Sequence, residues 1–307
     1  MTLSVGFIMA LTPTFTYAAN KEDWEIIVVY PATDPPHETV YQEIIKGIKK
    51  QAPHAHMFRI EKGTVPTDLK VWLDSIKPEK HIIAIGAKAQ KIVRAVNPKL
   101  PIYLASINTN TDEILGQRFS SHVRPNRVFD KISAMIPLIK KIYFIYTPGD
   151  ENRLLDIYKQ DAKKEGYGFV YSMVDKPSDA ARRIQEIANL MDPDTDAVWL
   201  GAKVTAMNPG LMIPLVQEII WERRAVVLSS NPSDVRDGVL LSLFPNYVSM
   251  GETLGMAAST NNERGELTPG SNFLTDVSYA LNYRTANHLG ISLSTADVEG
   301  IDLLFGR

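Results

Sequence analysis

The chain contains no cysteine. That excludes disulfides, thiolate metal ligands, a cysteine nucleophile and lipid attachment at a cysteine behind a leader. An excess of one charge is missing too. The 33 Lys and Arg stand against 35 Asp and Glu, a net charge of −2, and no basic run is present to track a phosphate backbone. Nucleic acid is therefore not an expected partner. No apolar run approaches the roughly 20 residues that span a bilayer. Catalytic and cofactor patterns are also absent: there is no G-x-G-x-x-G after a strand, no G-x-x-x-x-G-K-S/T, no H-E-x-x-H and no G-x-S-x-G. His54 and His56 flank Ala55, but nothing nearby completes a metal site, so both are expected on the surface. No cofactor, no metal and no catalytic role are expected.

What is present is an ordinary folded composition, 45% apolar and 22% charged, over 307 residues. That length suits two α/β lobes of roughly 100–150 residues each. The opening MTLSVGFIMALTPTFTYAA carries no charge and runs from an apolar stretch at Leu3–Leu11 to the small residues Ala18 and Ala19. It reads as a signal peptide cleaved after Ala18 or Ala19, although the usual basic residue ahead of the apolar stretch is missing. The competing reading is a buried N-terminal strand or helix. An exported protein with no cysteine anchor would diffuse away from a cell lacking an outer membrane. The expected compartment is therefore the periplasm of a two-membrane bacterium.

Beyond the leader, short β-branched runs alternate with helical patterns, the rhythm of βαβ units. Strands are expected at Glu25–Tyr30, His56–Ile60, His81–Ile85 and Ile102–Ala105, with helices at Glu38–Gln51, Thr67–Ile76 and Ala87–Val96. The run EIIVVY is apolar on both faces, as a central parallel strand covered on either side should be. A helix at Asn126–Lys140 follows Pro125. A second series then begins. Its strands are Ile142–Tyr146, Gly168–Met173, Ala197–Leu200 and Ala225–Leu228, and its helices are Asn152–Glu165, Ser178–Met191 and Gly210–Arg223. A helix at Met250–Ser259, a surface loop NNERGELTPGSN, a strand at Asp276–Leu281 and a helix at Tyr283–Leu289 complete the pattern. The expected division is a leader at 1–19, a first lobe at 20–124 with about 246–275, and a second lobe at 125–245 with about 276–307.

In open parallel sheets ligands bind beyond the carboxyl ends of the strands, where loops and helix N-termini offer unpaired N–H groups. The candidates in the first lobe are Thr33, Asp34 and His37 after the first strand, Lys88 after the third, and Ser106 and Asn108 after the fourth. In the second lobe they are Asp150 and Asn152 in TPGDEN, Lys203 and Thr205 in GAKVTAMNP, and Ser229 and Asn231 in SSNPSD. Asp150, Asn152 and Asn231 also stand where helix N-caps belong, and capping alone would account for them. Lys88 and Lys203 each read singly as a solvated lysine. As a pair, one per lobe at equivalent strand ends, they also read as the two sides of an anion site. Trp24, Trp72, Trp199 and Trp221 lie in or beside expected elements, where core packing is the default.

Six stretches carry a resemblance in their order: IIAIGAKAQKIV, LPIYLASIN, KIYFIYTPGDEN, DAVWLGAKVTAMNP, the run AVVLSSNPSDVRDGVLLSLFPNYVSMGETLGMAA, and YALNYRTANHLGI. The chain resembles the bacterial ABC-transporter substrate-binding family related to tryptophan- and tyrosine-binding periplasmic proteins. The resemblance implies the type I periplasmic-binding-protein fold, two Rossmann-like lobes joined by three crossovers and closing on an unaltered ligand. It implies as partners a small molecule and either an ABC permease or a membrane receptor such as a histidine kinase, with the protein a monomer. A two-lobed enzyme would need convergent acid and base groups in the cleft. The family pattern places Thr-Pro where Ala87 and Lys88 stand and an Asp where Lys203 stands. In the family's amino-acid binders a carboxylate holds the ligand's ammonium group. A lysine in its place points instead to an anionic or neutral solute.

Overall fold

The computed structural model describes residues 25–34, 37–76, 80–99, 102–106, 116–260, 270–274 and 276–306. The expected leader, Asn108 and residues 261–269 lie outside them. The first strand, β1 (Glu25–Pro31), sets the plan of the first lobe. Side chains alternate along a strand, so Ile27 and Val29 face one side and Val28 the other, and all three are fully buried. Such a strand needs cover on both faces. The chain continues through α1 (His37–Gln51), β2 (His56–Ile60), α2 (Pro66–Asp74), β3 (Lys80–Ile85), α3 (Gly86–Val96), β4 (Ile102–Ser106) and β5 (Gly116–Val123). Leu69 and Leu73 of α2 and Val93 of α3 cover the Ile27 face, and Ile44 and Ile48 of α1 cover the Val28 face. Gly86 makes the turn from β3 straight into α3 at φ +80°, a backbone conformation that glycine adopts at little cost.

The second lobe follows the same logic. It contains α4 (Pro125–Met135), β6 (Lys141–Tyr146), α5 (Asp150–Lys164), β7 (Gly168–Met173), α6 (Pro177–Leu190), β8 (Asp196–Leu200), a 3-10 turn at Thr205–Met207, α7 (Pro209–Arg223), β9 (Val226–Ser229), α8 (Pro232–Arg236) and β10 (Leu241–Pro245). Then come α9 (Tyr247–Thr260), β11 (Gly270–Leu274), β12 (Val277–Asn282), α10 (Tyr283–Leu289), α11 (Thr295–Glu299) and β13 (Leu303–Phe305). Phe144 of β6 is fully buried against Trp199 of β8 and Tyr158 of α5, with ring centroids 4.8 and 4.9 Å away.

One sheet has six strands in the order β11-β5-β4-β3-β1-β2, and the other has seven in the order β13-β12-β10-β9-β8-β6-β7. Every pairing is parallel except β10 with β12. The chain passes between the sheets three times: from β5 to α4, from β10 to α9 and from β11 to β12. The α9 helix follows a strand of the second sheet yet packs against α1 of the first lobe. Gly47, Gly251 and Gly255 let the two backbones meet: a Cβ on Gly251 would run into the Ile44 carbonyl oxygen, and one on Gly47 into that of Val248.

Several expectations are corrected. The helix expected to reach Lys140 stops at Met135, because Pro137 has no N–H and forces Ile136 out of the helical region, to φ −139° and ψ 68°. The expected loop NNERGELTPGSN gives up Gly270–Asn272 to β11, which is held by pairing with β5 despite its poor strand composition. β5 itself, GQRFSSHV, lacks an apolar run, and the short apolar run of β10 was not distinguished from its surroundings.

Candidate functional site

The strand-end rule points to the carboxyl edges of both sheets, and a cavity of about 170 Å³ lies there. His122 and Val123, at the end of β5, contribute from the first sheet, and Tyr247 from the first turn of α9. Thr147 and Pro148 follow β6, Ala202 and Lys203 follow β8, and Ser230 follows β9. Trp199 and Tyr158 are each only 3% exposed, and both line the cavity while packing in the core. The Trp199 indole Nε1–H donates to Ser230 Oγ at 3.0 Å, which fixes the ring. Burial, with a smaller push from the Glu43 charge, drives the Tyr247 phenol up to about 12. It stays protonated at physiological pH and keeps an O–H to donate.

Behind this wall lies a carboxylate that the sequence reading did not single out. Asp234 of α8 is 3% exposed and accepts from Ser229 Oγ at 2.6 Å, Thr205 Oγ1 at 2.8 Å and Asn231 Nδ2 at 3.0 Å. Burial raises its pKa, and these donors pull against that shift. Three expected site residues thus meet at one buried acceptor. Thr205 sits two residues after Lys203, and Ser229 and Asn231 flank Ser230, so Asp234 ties together two loops that reach the cavity. Asn231 also caps α8 through Ser233 N–H at 3.1 Å.

Of the other expected residues, Lys203 is exposed and lines the cavity. Lys88 is exposed in the first turn of α3 and is not among the lining residues. Thr33 is half-buried and Asp34 exposed, both just after β1. His37 opens α1, Ser106 ends β4, and Asp150 and Asn152 lie in the first turn of α5; their side chains are outside the described set. Gly149 occupies the N-cap position of α5, so neither Asp150 nor Asn152 does. Sequence reading missed Tyr158, Tyr247, His122, Thr147 and Ser230 and gave Trp199 to the core alone. Ser230 and Thr147 were within reach of it, since they stand in the polar loops SSNPSD and TPGD. Tyr158 was not, because nothing in a helical pattern tells a core aromatic from one that also lines a cleft.

Among the described residues no group of His, Asp and Glu is placed to hold a metal ion, and no helix is long and apolar enough to cross a membrane.

No family model matches the chain, and no curated protein matches it by sequence. Solved structures do. A ligand-free, open substrate-binding protein with adhesive properties from Clostridium difficile is 17% identical, with a TM-score of 0.66 over 92% of this chain and 100% of that one. An ABC domain in complex with L-Trp from Streptococcus pneumoniae is 16% identical, with a TM-score of 0.56 over the same shares. A periplasmic ribose ABC transporter protein from Conexibacter woesei is 15% identical, with a TM-score of 0.54 over 84% of this chain and 91% of that one. Transcriptional repressors match as well, so what is shared is the fold rather than one role. With two parallel-dominated sheets, three crossovers and a cavity at the facing strand ends, the chain has the type I periplasmic-binding-protein fold.

Proposed function

We propose that the protein is an exported solute-binding protein that captures a small organic ligand between its lobes and delivers it, unaltered, to an ABC transporter in the periplasm. One observation carries this reading. The cavity takes His122 and Tyr247 from the first-lobe side and Trp199, Lys203 and Ser230 from the second, so an occupant touches both. A ligand held from both sides favours the arrangement in which the two sides lie together. The similar structures with substrate-binding and ABC-transport names support the role.

A thermal-shift screen of organic acids, amino acids, sugars and nucleosides tests it. A solute at a hundredfold excess over its Kd stabilises the native state by about 2.7 kcal/mol, which raises the melting temperature by several degrees. The expected result is at least one stabilising solute that also compacts the protein in small-angle scattering and is recovered unchanged. No stabilising solute in any class, or a chemically altered one, overturns the proposal.

A further inference from the structure

The cavity's walls are specific enough to name a ligand class. Three aromatic side chains line it: Trp199 and Tyr158 from the second lobe and Tyr247 from α9. The first two belong to an aromatic cluster, their rings tilted 46° to each other with centroids 5.3 Å apart and Phe144 packed against both. They form a rigid apolar surface, since neither ring can move without displacing the core. Such a surface favours an aromatic ligand, which gains ring–ring contact and buried area together. The volume is on the scale of one ring. At about 170 Å³ the cavity is only slightly larger than an engineered cavity of about 150 Å³ that accepts benzene.

The polar lining limits the charge. Lys203 supplies an ammonium group, and Thr147 and Ser230 supply hydroxyls. Among the described lining residues there is no Asp or Glu. The carboxylate of Asp234 is not among the lining groups and is engaged with Thr205, Ser229 and Asn231. A ligand ammonium would find no carboxylate among these groups and would lie near a lysine of like charge. A ligand carboxylate would find a charge-assisted donor.

Building on the solute-binding reading, we propose that the cleft takes a single-ring aromatic carboxylate without an ammonium group, its ring against Trp199, Tyr158 and Tyr247 and its carboxylate bound by Lys203.

The test is calorimetry on the full mature protein with benzoate, phenylacetate, benzylamine, L-phenylalanine and L-tryptophan, preceded by the broad thermal-shift screen. Benzoate or phenylacetate should bind at least about tenfold tighter than either amino acid, and benzylamine should not bind. Lys203→Met should weaken the carboxylate by about tenfold or more, and Lys203→Arg should restore most of it. Equal or tighter binding of L-phenylalanine, L-tryptophan or benzylamine overturns the proposal, as does carboxylate binding indifferent to Lys203→Met. If the screen returns only non-aromatic stabilisers, the ligand class is wrong and the solute-binding reading stands. If it returns none, both fall.

Discussion

Replacing Asp234 by alanine removes an acceptor from three donors at once, and two of them are buried hydroxyls. Thr205 and Ser229 are 3% and 2% exposed, so a substitute for the lost oxygen atoms would have to be a water ordered in the space the carboxylate leaves. A buried hydroxyl left without a partner costs about 1–3 kcal/mol. The half-buried Asn231 has some access to water and adds less. Against this, alanine also removes the cost of burying a carboxylate. The net loss for Asp234→Ala at pH 7 should be about 2–4 kcal/mol. Asp234→Asn keeps the shape and one acceptor oxygen, and the hydroxyls can rotate to meet its amide, so it should cost about 1 kcal/mol or less.

The pH dependence has a definite sign. Burial raises the folded-state pKa of Asp234 above its unfolded value near 3.8. Its favourable contribution is therefore fully present below that value and is lost as pH rises through the folded pKa. Relative to the parent, Asp234→Asn should be least favourable near pH 4 and improve toward pH 7. Urea unfolding followed by circular dichroism at pH 4, 5.5 and 7 measures this. Hydrogen exchange should show faster opening at 201–207 and 229–233 in Asp234→Ala than in the rest of the second lobe. Equal loss in the Ala and Asn variants at every pH, with no localised exchange, would refute the network as the tie between these loops.

Further outcomes are expected elsewhere. Burial lowers the pKa of His81, whose Nδ1 lies 2.5 Å from the Ala258 carbonyl oxygen at the end of α9, and this outweighs the opposing effect of that hydrogen bond. Its stabilising contribution is present above its unfolded pKa of about 6.5 and is lost as pH falls through the lower folded value; His81→Gln should flatten the melting temperature over that window. Gly251→Ala should destabilise the protein by about 1–3 kcal/mol in chemical unfolding, although alanine ordinarily favours a helix by about 1 kcal/mol. Gly210→Ala in α7, where a Cβ meets only an ordinary contact at 3.7 Å, should be neutral or stabilising in the same assay. The mature protein should begin at Ala19 or Asn20; N-terminal sequencing of exported material that retains Met1 would refute the leader.

The alternation of apolar runs and helical patterns determined the α/β class, because burial on both faces of β1 and β6 is written locally, residue by residue. The strand-end rule likewise led to the loops carrying Lys203 and Ser230 before any contact was known. Only the tertiary structure decided the rest. It placed β11 beside β5 and set β12 antiparallel to β10, since strand pairing depends on where a distant segment returns and not on its own periodicity. It brought α9 back onto α1, where paired glycines gain meaning only when the two backbones face each other. It also turned Thr205, Ser229 and Asn231 toward Asp234 and made Trp199 and Tyr158 part of the cavity wall. A polar side chain in a loop has several partners within reach, and a core aromatic has several neighbours, and neither choice is made until the chain is packed.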